Sequence, residues 1–120
     1  MPDASWWKAL FEAIDGKNTP AFLGFLAPDA EFRFANAPAA QGHAAIGESV
    51  DGFFAAIGSS AHTVNRTWQD ADSAVCEGEV TYTRLDGSML TVPFANVFYL
   101  RAGLIARYLI CVYLGALFAA

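Results

Sequence analysis

Charge is the first thing this chain is short of. Only 16% of its 120 residues are Asp, Glu, Lys or Arg, and seven basic residues face twelve acidic ones, for a net charge of −5. Nucleic acid and anionic membranes are gripped by clustered Lys and Arg, and no such cluster occurs, so neither is expected as a partner. Long apolar runs are missing too. The longest uncharged apolar run, Tyr108 to Ala120, has 13 residues, against the roughly 20 of a spanning helix. The N-terminus is acidic and aromatic rather than basic and then apolar, which is not the pattern of a secretory leader; a cytoplasmic protein is the expectation. No Cys, His and Asp spacing suggests a metal. No glycine-rich loop follows a strand to cradle phosphate, so no cofactor is expected either. Repeats, low-complexity tracts and linkers are also lacking.

What is plentiful is apolar surface. Hydrophobic residues make up 55% of the chain, with ten Phe, four Tyr and three Trp. One domain of this length holds a single core. So much apolar area implies an apolar pocket, a subunit interface, or both.

The first half reads as helical. Trp7, Leu10, Phe11 and Ile14 mark one face of a helix over Ala4 to Ile14, with Asp3 or Ser5 as cap and Gly16 as stop. Thr19-Pro20 opens a short second helix through Phe22, Leu23, Phe25 and Leu26, which Pro28-Asp29 ends. Glu31 to Phe34 alternates as a strand, and Ala35 to Gly42 is a loop. Ile46, Val50, Phe53, Phe54 and Ile57 predict a third helix from His43 to Ile57.

The second half reads as four strands, the first from Ala61 to Gln69. Asp70 to Ser73 turns into three more between Val75 and Leu114. Taking Asp86-Gly87 as a two-residue loop sets Glu79 opposite Phe94 and Glu77 opposite Asn96. A three-residue loop at Arg101-Ala102-Gly103 sets Asn96 opposite Tyr108 and Phe94 opposite Ile110. One face then carries Glu77, Glu79, Thr81, Val92, Phe94, Asn96, Phe98, Tyr108, Ile110 and Val112. The other carries Cys76, Gly78, Val80, Pro93, Ala95, Val97, Arg107, Leu109, Cys111 and Tyr113. Both are too apolar for water. In this register Cys76 and Cys111 lie about 16 Å apart, beyond disulfide reach, and both read as buried small hydrophobes. The class is α+β, with helices gathered on one face of an antiparallel sheet.

That order resembles the NTF2-like superfamily, the cone shared by ketosteroid isomerases, limonene-epoxide hydrolases and SnoaL-like polyketide cyclases. The resemblance spans nearly the whole chain. It is carried by Ala13-Ile14-Asp15-Gly16, by Phe25 to Phe32, by Gly42-His43-Ala44-Ala45-Ile46, by Pro93-Phe94, by Gly103 to Tyr108 and by Leu114 to Phe118. It implies a cavity between the concave sheet face and the helices. Asn96, Tyr108, Ile110, Glu79, Phe94, Phe98 and Val112 would face it, and Trp7, Leu10, Phe34, Phe53, Phe54 and Trp68 would close it. The outer face would pair with a second copy, as a homodimer.

The resemblance also tests chemistry by position. A ketosteroid-isomerase-like tyrosine, base and aspartate fall on Leu10, Phe34 and Asn96, and of these only Asn96 can still hydrogen-bond an oxygen. The three groups of an epoxide-hydrolase-like site fall on Glu77, Glu79 and Ile110, and Ile110 removes the second carboxylate. A SnoaL-like cyclase needs one acid/base in an apolar pocket, for which Glu79 or His62 are the candidates. His43 reads as a helix-start residue. On the last strand Leu109, Cys111 and Tyr113 stand where relatives tend to show Arg, Tyr and Asp. So many apolar replacements suit a hydrophobic guest of steroid, secosteroid or isoprenoid type, in a natural binder or a re-engineered scaffold. Such a binder, rather than an enzyme, is the first expectation; a SnoaL-like cyclase or isomerase using Glu79 is the second.

Overall fold

The computed structural model describes residues 2–112 and residue 117. Three helices, α1 (Ala4–Asp15), α2 (Thr19–Leu23) and α3 (His43–Ala56), cover one curved sheet of six strands. The strands are β1 (Leu26–Phe34), β2 (Ala40–Gln41), β3 (Ser59–Asp70), β4 (Ser73–Thr83), β5 (Met89–Arg101) and β6 (Leu104–Val112). Their order is β2-β1-β6-β5-β4-β3, antiparallel except where β1 runs parallel to β6. This is the expected α+β cone, with one parallel pair and one extra strand. Tyr113 and most of the expected tail, Gly115 to Ala120, lie outside the described residues. No described helix is long and apolar enough to cross a membrane.

Local chemistry starts each helix. The Asp3 carboxylate accepts the Trp6 N–H at 2.9 Å to cap α1, and the Asn18 side chain accepts the Ala21 N–H at 3.1 Å to cap α2, with Pro20 in its first turn. β1 begins at Leu26, five residues earlier than the alternation of Glu31 to Phe34 predicts. The cause is tertiary: Leu26 pairs with Ile105, and the Ile105 N–H bonds the Phe25 carbonyl at 2.9 Å. Pro28 survives inside the strand because the β1–β6 ladder is interrupted between Leu26 and Glu31. The loop expected at Ala35 to Gly42 contains β2, which pairs Gln41 with Glu31.

The two hairpins exchange the turn types read from sequence. Asp86-Gly87 is not a two-residue loop: the Asp86 carboxylate accepts the Ser88 N–H at 2.9 Å and its hydroxyl at 2.6 Å. That capture lengthens the turn, with Gly87 at φ 88, and pairs Thr83 with Met89. The register moves by one residue, so β4 is reversed. Cys76, Gly78, Val80 and Tyr82 point inward, and Glu77 and Glu79 point outward. The second hairpin has the two-residue loop instead, Ala102 and Gly103 both at positive φ, with Arg101 opposite Leu104. Ala106 is then bulged between Ile105 and Arg107, which moves the ladder by two residues in all and keeps the β5 and β6 faces as read.

The core fills from both layers. Leu10, Phe22, Leu26, Ile46, Ile57, Val80, Phe98, Ile105 and Tyr108 are almost wholly buried. Phe98 stands edge-on to Tyr108 at 4.4 Å, and Trp6, Trp7 and Phe25 stack around them. This end of the cone is solid.

Candidate functional site

The other end is hollow. A cavity of about 300 Å³ lies between α3, the end of β1 and the concave sheet face. Phe22, Phe32, Phe34, Val50, Phe53, Phe54, Phe94 and Ile110 supply its apolar wall. Ser60, His62, Tyr82, Asn96 and Tyr108 supply the polar groups inside it, and Ala35 to Ala37 with Ser49 reach its rim. Phe34 and Phe53 stack at 4.7 Å, and Phe53 meets Tyr82 at 5.8 Å.

Asn96 is the most exacting of these groups. It is 2% exposed, and its amide nitrogen donates to the Tyr108 hydroxyl over a long 3.4 Å. Its Oδ1 has no partner among the described residues. Turning the amide over exchanges the two atoms and still leaves one unpartnered. An orphaned polar atom of this kind costs about 1–3 kcal/mol, which a guest hydroxyl donating to Oδ1 would recover.

The second polar cluster joins β3 to the last residue of α1. Asp15 Oδ1 lies 2.6 Å from His62 Nδ1 and accepts the Ser60 hydroxyl at 2.8 Å, while Oδ2 accepts the His62 backbone N–H at 2.9 Å. Burial alone would push the Asp15 carboxyl up. The His62 hydrogen bond and charge, the backbone N–H and the Ser60 hydroxyl outweigh it and hold the group below its usual range. An ionised Asp15 can only accept, so His62 Nδ1 carries the proton of this hydrogen bond. Phe11 and Phe94 hold the ring at 4.9 and 5.1 Å. Burial pushes the Tyr82 hydroxyl up to about 12, with the Asp15 charge adding to it, and raises Tyr108 well above 10. Both are hydrogen-bond donors at neutral pH.

A sign follows for stability. Because Asp15 titrates lower in the fold than in the open chain, its network stabilises above the ordinary carboxylate range and fades as pH falls through the folded value. Asp15→Asn is therefore expected to flatten the acid limb of stability below about pH 4, read by urea melts across pH. A limb as steep as in the parent would mean that Asp15 carries no such linkage.

The structure gathers only part of the expected site. Asn96, Tyr108, Ile110, Phe94, Phe34, Phe53 and Phe54 line the cavity. Trp7, Leu10 and Phe98 fill the solid end, and half-buried Val112 packs against the core without lining the cavity. Glu79 is exposed on the outer face, so it cannot be the acid/base of an interior reaction. Trp68 is 45% exposed, with the Arg66 guanidinium 5.0 Å above its ring, and closes nothing. Leu109 and Cys111 also alternate outward and do not shape the pocket. Cys76 is buried as expected, its thiol pushed up to about 12 by burial, but Cys111 is exposed. His43 bonds the Leu26 carbonyl through Nε2 at 3.0 Å, tying α3 to β1. Asp15, Ser60 and Tyr82 belong to the site although the sequence pattern names none of them as site residues.

Comparison with known proteins agrees with this architecture. The family model for a SnoaL-like domain matches residues 7–108. No curated protein matches. Among solved structures, TerC co-crystallised with polyporic acid superposes with TM-score 0.82 at 19% identity, over 92% of this chain and 91% of that one. A ketosteroid isomerase-like fold from Catenulispora acidiphila, in complex with trimethylamine, gives 0.81 at 18% identity, over 91% and 85%. A putative SnoaL-like polyketide cyclase from Jannaschia gives 0.77 at 15% identity, over 92% and 87%. With the family match covering most of its length and the cone in place, the chain belongs to the SnoaL-like domain family of the NTF2-like superfamily.

Proposed function

We propose that this chain binds a small, flat, mostly apolar molecule bearing an oxygen, and that the Asn96 amide beside the Tyr108 hydroxyl orients it. The observation that carries this reading is the buried amide with an unpartnered atom in the wall of a mostly apolar cavity. Apolar pockets hold ligands by area and orient them by a few placed polar groups. Burying about 300 Å² of apolar ligand surface contributes on the order of 7 kcal/mol before the cost of association. A volume of about 300 Å³ lies at the low end of ligand sites, which favours a one- or two-ring guest over the larger steroid-like molecules. The small molecules bound to TerC and to the Catenulispora protein are consistent with a cavity used in this way. A natural or a re-engineered cavity would bind such a guest through the same contacts.

Calorimetric titration with 2-naphthol is expected to show one site per chain, and Ile110→Asp to weaken it by about tenfold or more, since a carboxylate replaces apolar wall. Equal affinity in that variant would remove Ile110 from the site.

A second reading has its own observation. His62 lines the cavity with its Nδ1 held by Asp15 behind it, the arrangement that makes imidazole a general base. It supports an isomerase or cyclase in which His62, and not Glu79, moves the proton.

We also infer pairing of two copies through the outer sheet face in a cytoplasmic homodimer. Val75, Val97, Leu109 and Cys111 lie there beside Trp68 and Tyr99, which are 45% and 43% exposed. Maleimide labelling checks this. Cys76 should resist at any concentration, and Cys111 should react when dilute and become protected when concentrated. Concentration-independent labelling of Cys111 would argue for a monomer.

A further inference from the structure

One hydroxyl in the cavity wall serves no protein partner. Tyr82 lines the cavity from β4 and is 3% exposed. Among the described residues its hydroxyl makes no hydrogen bond, and its ring meets Phe53 edge-on at 5.8 Å. The polar groups beside it are engaged elsewhere. Ser60, directly opposite on β3, donates its hydroxyl to Asp15, and the same carboxylate holds His62 Nδ1. Buried phenol hydroxyls find partners in most folds, and phenylalanine would fill the same space without stranding an O–H. Burial, with the Asp15 charge adding to it, keeps the proton on this oxygen at neutral pH, so the group is a donor.

Tyr82 faces the same space as Asn96 from a different station. It is level with Leu90 on β5, and Asn96 lies farther along that strand. Aromatic rings bridge the two: Phe53 meets Tyr82 and stacks on Phe34 at 4.7 Å, Phe34 pairs with Ile110, and Ile110 pairs with Asn96. The span is short enough that charge on Tyr82 would press on the Tyr108 hydroxyl, which touches Asn96. The open groups are of opposite kind. Asn96 Oδ1 can only accept, and the Tyr82 O–H is a donor with nothing to donate to. No Lys or Arg is among the described residues lining the space, so a charged oxygen on a guest would be left unmatched.

From this arrangement we propose that Tyr82 is a second recognition group, and that the guest is a neutral, two-ended flat molecule. At one end a hydroxyl donates to Asn96 Oδ1. At the other a proton-free acceptor, a ring nitrogen or an exocyclic oxygen, takes the Tyr82 hydrogen bond. This rests on the cavity being a ligand site, as proposed above, and deepens it by fixing the guest's second polar group. The asymmetry also fixes the guest's direction, since a reversed guest would set acceptor against acceptor at Asn96 and donor against donor at Tyr82.

The probes are 2-naphthol and its two isosteres 6- and 7-hydroxyquinoline, which keep its outline and place a ring nitrogen in the far ring. All three are titrated calorimetrically at neutral pH. A ring nitrogen buried without a donor should weaken binding by about tenfold or more. In the parent protein at least one hydroxyquinoline is expected to bind as tightly as 2-naphthol or better. Tyr82→Phe should weaken that isostere by about tenfold or more while leaving 2-naphthol within about twofold. Because the hydroxyl has no partner in the fold, the variant should melt no lower than the parent, which a structural role would not allow. Both isosteres bound tenfold or more weakly than 2-naphthol in the parent overturns the proposal, and this comparison needs no variant to fold. So does an isostere preference unchanged in Tyr82→Phe. Failure of 2-naphthol to bind at one per chain overturns the ligand-site reading and the second group with it, whereas 2-naphthol bound without the isostere preference overturns the second group alone.

Discussion

Gly78→Ala is expected to destabilise the fold by about 3 kcal/mol, at the upper end of the cost of overpacking. A Cβ at this position would lie 1.8 Å from the Thr63 carbonyl oxygen and 3.1 Å from the Val64 Cα. Both are backbone atoms, so no rotamer change relieves the clash. The close approach comes from the irregularity in β3 between Val64 and Arg66, where the strand bends over the inner face of β4. That bend carries Ser60 and His62 back toward the end of α1. Alanine must push β3 outward, and the Asp15–His62 and Asp15–Ser60 bonds should lengthen with it. Thermal melts should show a fall of roughly 10 °C, and the acid limb of stability should flatten as in Asp15→Asn. A variant as stable as the parent would mean that the sheet's curvature does not depend on Gly78. Gly52, where nothing lies within 4 Å of an added Cβ, is the control that should tolerate alanine.

The double variant Asn96→Leu/Tyr108→Phe is expected to gain stability while losing its guest. Asn96 is buried with one polar atom unpartnered, and its only described side-chain hydrogen bond is the long one to Tyr108. Replacing both partners by apolar groups of similar shape removes that orphan without creating another, for an expected gain of about 1 kcal/mol. Asn96→Leu alone should gain less, because it strands the Tyr108 hydroxyl in the core. In both variants 2-naphthol should bind about tenfold more weakly or worse, with lost hydrogen bonding as the cause. Stability and affinity moving together, both falling, would assign the pair to the scaffold. Opposite movement is the signature of a binding group kept at the expense of the fold.

How much of this was legible in the sequence turns on single side chains. The apolar spacing of Trp7, Leu10, Phe11 and Ile14 predicts α1 because burial and helix period agree there. Asn96, Tyr108 and Ile110 share a face in either register, since the Ala106 bulge and the short Ala102-Gly103 loop together shift the ladder by an even number of residues. Glu79 is different. Its face depends on whether Asp86 sits in the turn as a backbone residue or reaches with its carboxylate to Ser88, and turn statistics for Asp-Gly do not distinguish those. Trp68 reads as core from its hydrophobicity alone, yet it sits on the edge strand, where Arg66 covers its ring. The Asp15–His62 contact joins residues 47 apart through a strand bend that exists because Gly78 has no side chain. No local pattern announces a contact of that kind. β2 and the early start of β1 likewise depend on neighbours, Glu31 for one and Ile105 for the other.

The most direct measurement is a crystal structure of the protein soaked with 2-naphthol. The two rings should lie against Phe94, Phe53 and Ile110, with the hydroxyl oxygen about 3 Å from the Asn96 amide. A cavity closed by its own aromatic side chains, or naphthol seated with its oxygen away from both Asn96 and His62, would contradict the account.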